Sequence, residues 1–224
     1  MASEQLDETN VGAYAICRGV IFDGPCRATV MSGGVSSTVL LVESRRKRVV
    51  VKQALPRLRV VDEWFADPSR AQAEAAALRV LHSITPKSVP ELLDDDSGRH
   101  AITISAAPRA WRNWKPQLLG GIVRTDVAYR LGLLLSRWHA ATEQAQLPEQ
   151  LEGLALFEQL RLTPYFGTTA TRQPELRNDL NKLVVDIRSR QRCLVLGDFS
   201  PKNVLVGSHG LWVIDLVSRA GSSL

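Results

Sequence analysis

The chain has 224 residues, 45% of them apolar, and a formal net charge of +5. This apolar content supports a buried core in one large domain or in two lobes, which argues against a disordered chain. Three widely separated cysteines without CxxC spacing argue against a disulfide framework or a structural zinc site, and no apolar stretch is as long as a membrane-spanning helix.

The positive charge is densest in the run SRRKR at residues 44–48, which lies between two apolar, β-like segments. Clustered cations are also typical of nucleic-acid binders, but aromatic residues are not interleaved with this run. A solvated hairpin turn explains the run better, so we expect no nucleic-acid partner. The N-terminus lacks the apolar core of a signal peptide, and we expect a soluble, cytoplasmic protein without a membrane partner.

The pattern of apolar residues changes along the chain from mostly strands to mostly helices. The predicted elements are a helix at 7–20, strands at 28–31, 38–43 and 48–53, a helix at 69–83, an Asp-rich turn at 94–96, a strand at 100–105, helices at 124–145, 155–161 and 174–190, and a final pair of strands. Such segregation predicts an α+β fold in two lobes. We expect an N-lobe at 1–107, with an antiparallel sheet, and a mainly helical C-lobe at 108–224.

The sequence SGGVSS at residues 32–37 lies between two predicted strands and is a candidate phosphate loop. Gly33 and Gly34 allow backbone conformations closed to other residues, and they let amide groups approach a phosphate. The motif does not match GxGxxG, so an ordinary flexible hairpin is the alternative.

Lys52 in VVVKQA is a single cation within a predicted strand. A buried lysine needs an anionic partner, and the helix that follows contains one acidic residue, Glu74. In kinases, a strand lysine that contacts both a helix glutamate and the nucleotide phosphates positions ATP. The alternative is an outward-facing lysine and an unrelated surface glutamate.

The stretch CLVLGDFSPKNVLVG at residues 193–207 places a short polar loop between two apolar segments. Asp198 and Asn203 have the D-x-x-x-x-N spacing of a kinase catalytic loop, in which the aspartate accepts the proton of the substrate hydroxyl and the asparagine holds a metal ion. Asp215 ends a further apolar segment, WVI, where it could ligate Mg²⁺. Each motif alone also occurs in proteins without this function, but the order of the motifs along the chain indicates a kinase.

On these motifs, the sequence resembles the superfamily of aminoglycoside phosphotransferases and small-molecule kinases, to which choline and methylthioribose kinases are related. LGDFSPKNVLV is similar to the family's HGD-x-x-x-x-N loop, WVID to its metal-binding strand and VVVKQALP to the lysine strand of methylthioribose kinases. The resemblance implies a protein-kinase-like fold that binds ATP between its lobes. It also implies transfer of the γ-phosphoryl group to a hydroxyl of a small molecule.

The same resemblance implies a role for each motif residue but does not identify the acceptor. Asp198 is the expected catalytic base, Asn203 and Asp215 the Mg²⁺ ligands, Lys52 and Glu74 the ATP anchor, and Gly33, Gly34, Ser36 and Ser37 the contacts to its phosphates.

Two departures from the family pattern leave an alternative open. Leu196 stands where the family usually has a histidine that braces the loop, and nine residues follow Asp215 where the family has further helices. We therefore expect an incomplete C-lobe whose uncovered apolar surface favours self-association. The alternative function is a truncated, non-catalytic homologue that binds nucleotide or a partner.

Overall fold

A five-stranded antiparallel sheet forms the centre of the first lobe. The structure, a computed structural model, describes residues 5–22, 24–31, 34–61, 63–143, 145–190, 192–216 and 218–219. The strands are β1 (Arg27–Val30), β2 (Ser37–Glu43), β3 (Arg48–Ala54), β4 (Leu92–Asp96) and β5 (Ala101–Ser105), and the helices are α1 (Val11–Cys17) and α2 (Arg70–Ile84). The strands pair in the order β1-β2-β3-β5-β4, so β3 is the central strand.

Strand β3 is buried on both faces, because a different core covers each side of the sheet. Val49 and Val51 pack in a core with residues of α1, whereas Val50 and Ala54 pack in a core with residues of α2. Side chains alternate along a strand, so Lys52 lies on the α2 side. Alanines dominate the buried face of α2, and their small side chains let the helix lie close to the sheet.

The second lobe is mainly helical. Its helices are α3 (Trp114–Leu119), α4 (Thr125–Thr142), α5 (Ala155–Phe157), α6 (Thr168–Arg172) and α7 (Arg177–Ser189), with a π-helical segment at Glu158–Gly167 and single 3₁₀ turns at Glu149–Leu151, Pro174–Leu176 and Pro201–Asn203. Its short strands are β6 (Arg112–Asn113), β7 (Val195–Leu196), β8 (Val204–Val206), β9 (Leu211–Val213) and β10 (Ser218–Arg219). Among the described helices, none combines the length and apolarity required to cross a bilayer.

This arrangement confirms the predicted α+β class and most of the predicted elements. The basic run forms the turn between β2 and β3, where the amide of Ser44 donates to the carbonyl of Lys47. Residues 155–161 are helical as predicted, although α5 passes into the wider π-helical segment after three residues. Pro164 lies within that segment, where it has no amide to donate to a regular α-helical ladder.

The predicted Asp-rich turn is wrong, because Asp94, Asp95 and Asp96 lie in strand β4. Strands disfavour adjacent carboxylates unless other groups compensate their charge. Arg18 binds both carboxylate oxygens of Asp94, at 2.7 and 2.8 Å, and Arg79 lies 2.8 Å from Asp95. These partners come from α1, α2 and their flanking residues, so a local pattern could not reveal them.

Trp111 lies between β5 and β6, in the segment that connects the two lobes, and packs against the β8–β9 hairpin. A Cβ atom added at Gly207 would lie 2.2 Å from Trp111 Nε1, and one added at Gly210 would lie 2.7 Å from Trp111 Cη2. The ring of Trp111 also meets Trp212 edge to face, with centroids 5.7 Å apart. The glycines therefore allow an indole to lie directly on the hairpin that leads to Asp215.

Gly207→Ala should destabilise the protein by about 1–3 kcal/mol, because the added methyl group and the indole of Trp111 cannot occupy the same space. Urea unfolding of the purified variant measures this change. Gly132→Ala is the matched control, because Gly132 lies in α4 with open space at its Cβ position; it should stabilise by about 0.5–1 kcal/mol. If Gly207→Ala costs as much in a Trp111→Ala background, the contact is not the cause.

Candidate active site

Lys52 is the centre of a buried ion cluster that joins the two lobes. Its Nζ atom lies 2.5 Å from Glu74 Oε1 and 2.9 Å from Asp215 Oδ1. Lys52 and Glu74 are only 8% and 5% exposed, whereas the side chain of Asp215 is 37% exposed. The structure thus brings together three residues that lie far apart in the sequence and were predicted to act together.

Burial and mutual attraction have opposite effects on the charges of this cluster. Desolvation favours neutral Lys52, but the fields of Asp215 and Glu74 outweigh it and raise the lysine pKa above its ordinary value. For Glu74, desolvation dominates and raises the carboxyl pKa despite the nearby lysine. For Asp215, the attraction to Lys52 dominates and lowers the pKa. Asp215 is therefore the more readily ionised of the two carboxyl groups.

The backbone around Asp215 connects the ion cluster to the predicted catalytic loop. The amide of Ile214 donates to the carbonyl of Asn203 at 2.9 Å. Asp215 itself adopts φ of 60°, in the left-handed region that aspartate and asparagine tolerate better than most residues. The chain therefore changes direction after β9, and the carboxylate of Asp215 points to Lys52.

The predicted catalytic loop is a compact turn organised around the carbonyl of Asp198. The amide of Ser200 and the side-chain Nδ2 of Asn203 both donate to that carbonyl at 2.9 Å. Asn203 is buried, and Asn113 at the start of α3 donates to the adjacent carbonyl of Lys202 at 2.5 Å. The D-x-x-x-x-N spacing therefore reflects a direct contact between its two ends.

The Asp198 carboxylate is held by donors and cations on both oxygens. Ser200 Oγ donates to Oδ1 at 2.8 Å, and Lys202 Nζ lies 2.7 Å from Oδ2. Arg161 Nη2 lies 3.9 Å from the same Oδ2 atom. Partial burial would raise the pKa of Asp198, but the bonds from Lys202 and Ser200 and the attraction to Lys202 and Arg161 lower it overall. Asp198 is ionised at neutral pH, as a proton acceptor must be.

The glycine-rich hairpin is described only in part, since Gly33 lies outside the described residues. An added Cβ at Gly34 would lie 2.4 Å from the carbonyl oxygen of Ser37, so this close turn requires glycine. Ser37 lines a small cavity with Lys52 and Glu74. The carbonyl of Ser36 accepts hydrogen bonds from the Leu55 amide and from Arg70. The hairpin therefore ends beside the ion cluster.

Two arginines in the site were missed by the sequence reasoning. Arg70, one helical turn before Glu74, is buried and donates to the carbonyls of Ala66, Asp67, Ser36 and Leu55. Arg161 comes from the π-helical segment and contacts the predicted catalytic loop. The site contacts of both arginines lie far away in the sequence: Arg70 bonds the carbonyl of Ser36, 34 residues away, and Arg161 bonds that of Gly197, 36 residues away.

The oxygens of Asn203 and Asp215 fit a hard divalent cation. Asn203 uses Nδ2 to bind Asp198, which leaves its Oδ1 atom as a ligand, and Asp215 binds Lys52 through Oδ1, which leaves Oδ2. Mg²⁺ is commonly held by one or two such protein oxygens together with substrate phosphates. Within the described ranges, no cluster of three or more His, Cys, Asp or Glu residues suits an all-protein metal site.

Lys52→Met should lower the free energy of unfolding by about 3–5 kcal/mol, because it leaves the carboxylate of Glu74 buried without its cation. Chemical unfolding measures the loss, with Lys87→Met, at an exposed position, as the control. The raised pKa of Glu74 adds a pH dependence: the deficit should be smallest below that pKa, where folding retains a neutral carboxyl, and should grow as the pH rises through it.

The double variant Lys52→Met, Glu74→Leu separates lost attraction from a stranded charge. It should recover much of the stability lost in Lys52→Met, because an apolar pair replaces the unpaired carboxylate. Equal losses in the single and double variants would contradict a stranded charge at Glu74.

Comparison with solved structures identifies the fold. The chain is similar to spectinomycin phosphotransferase solved with ADP and spectinomycin, at 14% identity over 97% of this chain and 71% of that chain, with a TM-score of 0.57. It is similar to a choline/ethanolamine kinase family protein from Mesorhizobium loti at 16% identity over 96% and 65%, with a TM-score of 0.59. It is also similar to choline kinase LicA from Streptococcus pneumoniae, at 15% identity over 95% of this chain and 69% of that chain, with a TM-score of 0.57. The fold is therefore the two-lobed, kinase-like fold.

The sequence itself gives the family. A search of curated proteins found no significant match to this chain. The sequence model of the phosphotransferase enzyme family, APH, matches residues 27–218, which include β1 to β9 and every candidate site residue but not helix α1. A match over this length shows that the chain belongs to the phosphotransferase enzyme family.

Proposed function

We propose that this protein is a Mg²⁺- and ATP-dependent phosphotransferase that moves the γ-phosphoryl group of ATP to a hydroxyl of a small molecule. One observation carries the proposal: Lys52 binds Glu74 and Asp215, and the segment of Asp215 is bonded to the loop of Asp198 and Asn203. Phosphoryl transfer depends mainly on positioning and charge neutralisation, and this connected set of residues supplies both.

Lys52 and Glu74 form the ATP anchor in this proposal. Lys52 keeps its charge in a buried site, where a cation attracts phosphate oxygens more strongly than it would in water. Ser37 lines the same cavity, which supports a place for the hairpin residues Gly33, Gly34, Ser36 and Ser37 beside the phosphates. The spectinomycin phosphotransferase structure was solved with ADP, which is consistent with a nucleotide in this fold.

Asn203 Oδ1 and Asp215 Oδ2 are the proposed ligands of Mg²⁺, which would neutralise phosphate charge when bound. Asp198 is the proposed base. As the acceptor hydroxyl oxygen forms its bond to the γ-phosphorus, the bond from that phosphorus to the leaving oxygen of ADP breaks, and the hydroxyl proton passes to Asp198. Its carboxylate is ionised and fixed by Ser200, so it meets both requirements of a proton acceptor.

The acceptor is proposed only as a small molecule with a hydroxyl group. The similar structures are named for spectinomycin and for choline or ethanolamine, and the chain spans 65% to 71% of their lengths. A cytoplasmic location and the absence of a nucleic-acid partner stay predictions. So does self-association, which is supported by exposed Tyr129 on α4 and by Leu183 and Val185 on α7, a helix without a buried side chain.

ATP and Mg²⁺ together should raise the melting temperature of the protein in a saturable way, because a ligand that binds only the folded state stabilises it by mass action. Asp215→Asn should abolish the part of the shift that requires Mg²⁺. Asparagine tolerates the left-handed backbone at this position but lacks the charge. Asp179→Asn, on the exposed surface of α7, is the matched control and should respond as the unmodified protein does.

Asp198→Asn distinguishes an enzyme from a protein that only binds nucleotide. The variant should keep the thermal shift, because the nucleotide contacts remain. Its rate of ADP formation from MgATP should fall by a factor of at least about 100, because the general base is gone. Unchanged ADP formation would contradict the assignment of Asp198. A saturable shift without any ADP formation in the unmodified protein, across a panel of hydroxyl acceptors, would instead support the non-catalytic alternative.

A further inference from the structure

The loop that carries Asp198 receives little support from its own strand. Strand β7 is two residues long and pairs with the two-residue strand β10. Leu196, directly before Gly197, packs with the apolar core and has no polar side-chain atom to hold the next peptide. The position of Asp198 therefore depends on groups from elsewhere in the chain.

Arg161 supplies such a group. Its Nε atom donates to the carbonyl of Gly197 at 2.6 Å, and its Nη1 atom donates to the carbonyl of Leu160 at 2.8 Å. The third nitrogen, Nη2, faces Asp198 Oδ2 at 3.9 Å, and the side chain is only 21% exposed. Two carbonyls thus fix the guanidinium, which leaves its remaining edge toward the carboxylate.

Gly197 is the residue that this contact requires. A Cβ atom at position 197 would lie 2.9 Å from Arg161 Nε and 3.3 Å from Arg161 Cγ. The arginine side chain therefore lies directly against the backbone of the residue before Asp198. A larger residue at position 197 would displace the guanidinium without removing it.

The segment that carries Arg161 is itself held by the sheet lobe. The carbonyl of Gln159 accepts a hydrogen bond from Trp64 Nε1 at 3.0 Å, and its side-chain oxygen accepts one from the amide of Asp67 at 3.0 Å. Leu160 packs with Leu58 and Ala66 in a separate apolar cluster. Residues 159–161 are therefore in contact with the β3–α2 loop on one side and with the catalytic loop on the other.

Lys202 does not provide the same constraint, although it lies closer to Asp198. Its side chain is 54% exposed and has one ion-pair partner among the described residues, the Asp198 carboxylate itself. A flexible ammonium group on the surface follows the carboxylate rather than fixing it. Arg161 bonds main-chain carbonyls, and its own segment is held through Gln159 and Leu160, so its position does not depend on the Asp198 carboxylate.

We propose that Arg161 is the positioning residue of the catalytic loop. It fixes the Gly197–Asp198 peptide, and it links that peptide to the β3–α2 loop, because residues 159–161 contact both segments. The assignment of a reaction to this loop rests on the proposed function, whereas the structural constraint does not. Arg161 acts through Asp198 and needs no contact with substrate.

Amide hydrogen exchange tests the constraint without any activity. Arg161→Ala should increase exchange in peptides covering residues 194–203, and Gly197→Ala should do the same because it displaces the guanidinium. Arg137→Ala, at an exposed position on α4, is the control and should leave the loop unchanged. Arg161→Lys provides a milder variant if Arg161→Ala does not fold, since lysine keeps the charge but has its donors on one nitrogen and not in a planar fork. Unchanged exchange in all three test variants would overturn the proposal.

Steady-state ADP formation from MgATP tests the positioning role, with water as the acceptor. Arg161→Ala should lower kcat by about 100-fold, because a small misplacement of a reacting group costs about that much, and should leave KM for ATP unchanged. Guanidinium at concentrations far below those that unfold the protein should restore part of kcat, whereas urea, of similar shape but neutral, should not. A raised KM with unchanged kcat, or equal effects of urea and guanidinium, would contradict the role.

The two measurements keep this proposal separate from the proposed function. If the unmodified protein forms no ADP, or forms it as fast as Asp198→Asn does, the proposed function fails. Hydrogen exchange then still decides whether Arg161 fixes the loop. If ADP formation depends on Asp198 but neither exchange nor kcat responds to Arg161→Ala, the proposed function stands and the positioning role of Arg161 is rejected.

Discussion

The neutralisation of one buried cation, Lys52, determines how the two lobes of this protein meet. The alternation of β3 directs the lysine into the core beside α2, where an unpaired charge would be very costly. Glu74 on α2 and Asp215 beyond β9 both compensate it. Since the three residues come from a strand, a helix and the helical lobe, a single electrostatic requirement joins three parts of the structure.

Two arginines also join distant segments, but their main partners are backbone carbonyls and not carboxylates. Arg70 joins the start of α2 to the ends of the glycine-rich hairpin and of β3, and Arg161 joins the π-helical segment to the proposed catalytic loop. A guanidinium has several donors in one plane, so it can bind carbonyls from different segments at once. The segments with the least regular structure are therefore held by side chains rather than by strand pairing.

Local patterns in the sequence predicted those parts of the fold and the site that depend on local chemistry. Runs of β-branched apolar residues bounded by turn residues predicted β2 and β3, and the spacing of Asp198 and Asn203 reflects a contact within one short turn. The prediction failed where the partner lies far away. Asp94 is compatible with a strand because Arg18 neutralises it, and Arg161 is placed at the site by tertiary packing. No periodicity or spacing encodes such pairs.

The contact of Trp64 with Gln159 gives the protein a built-in optical reporter. Trp64 is partly buried at the meeting point of the two lobes, whereas the other tryptophans, at 111, 114, 138 and 212, lie in the connector or the helical lobe. Indole emission shifts to longer wavelength when water replaces a protein environment. Separation of the lobes would therefore change the colour of the protein's own fluorescence, without any attached dye.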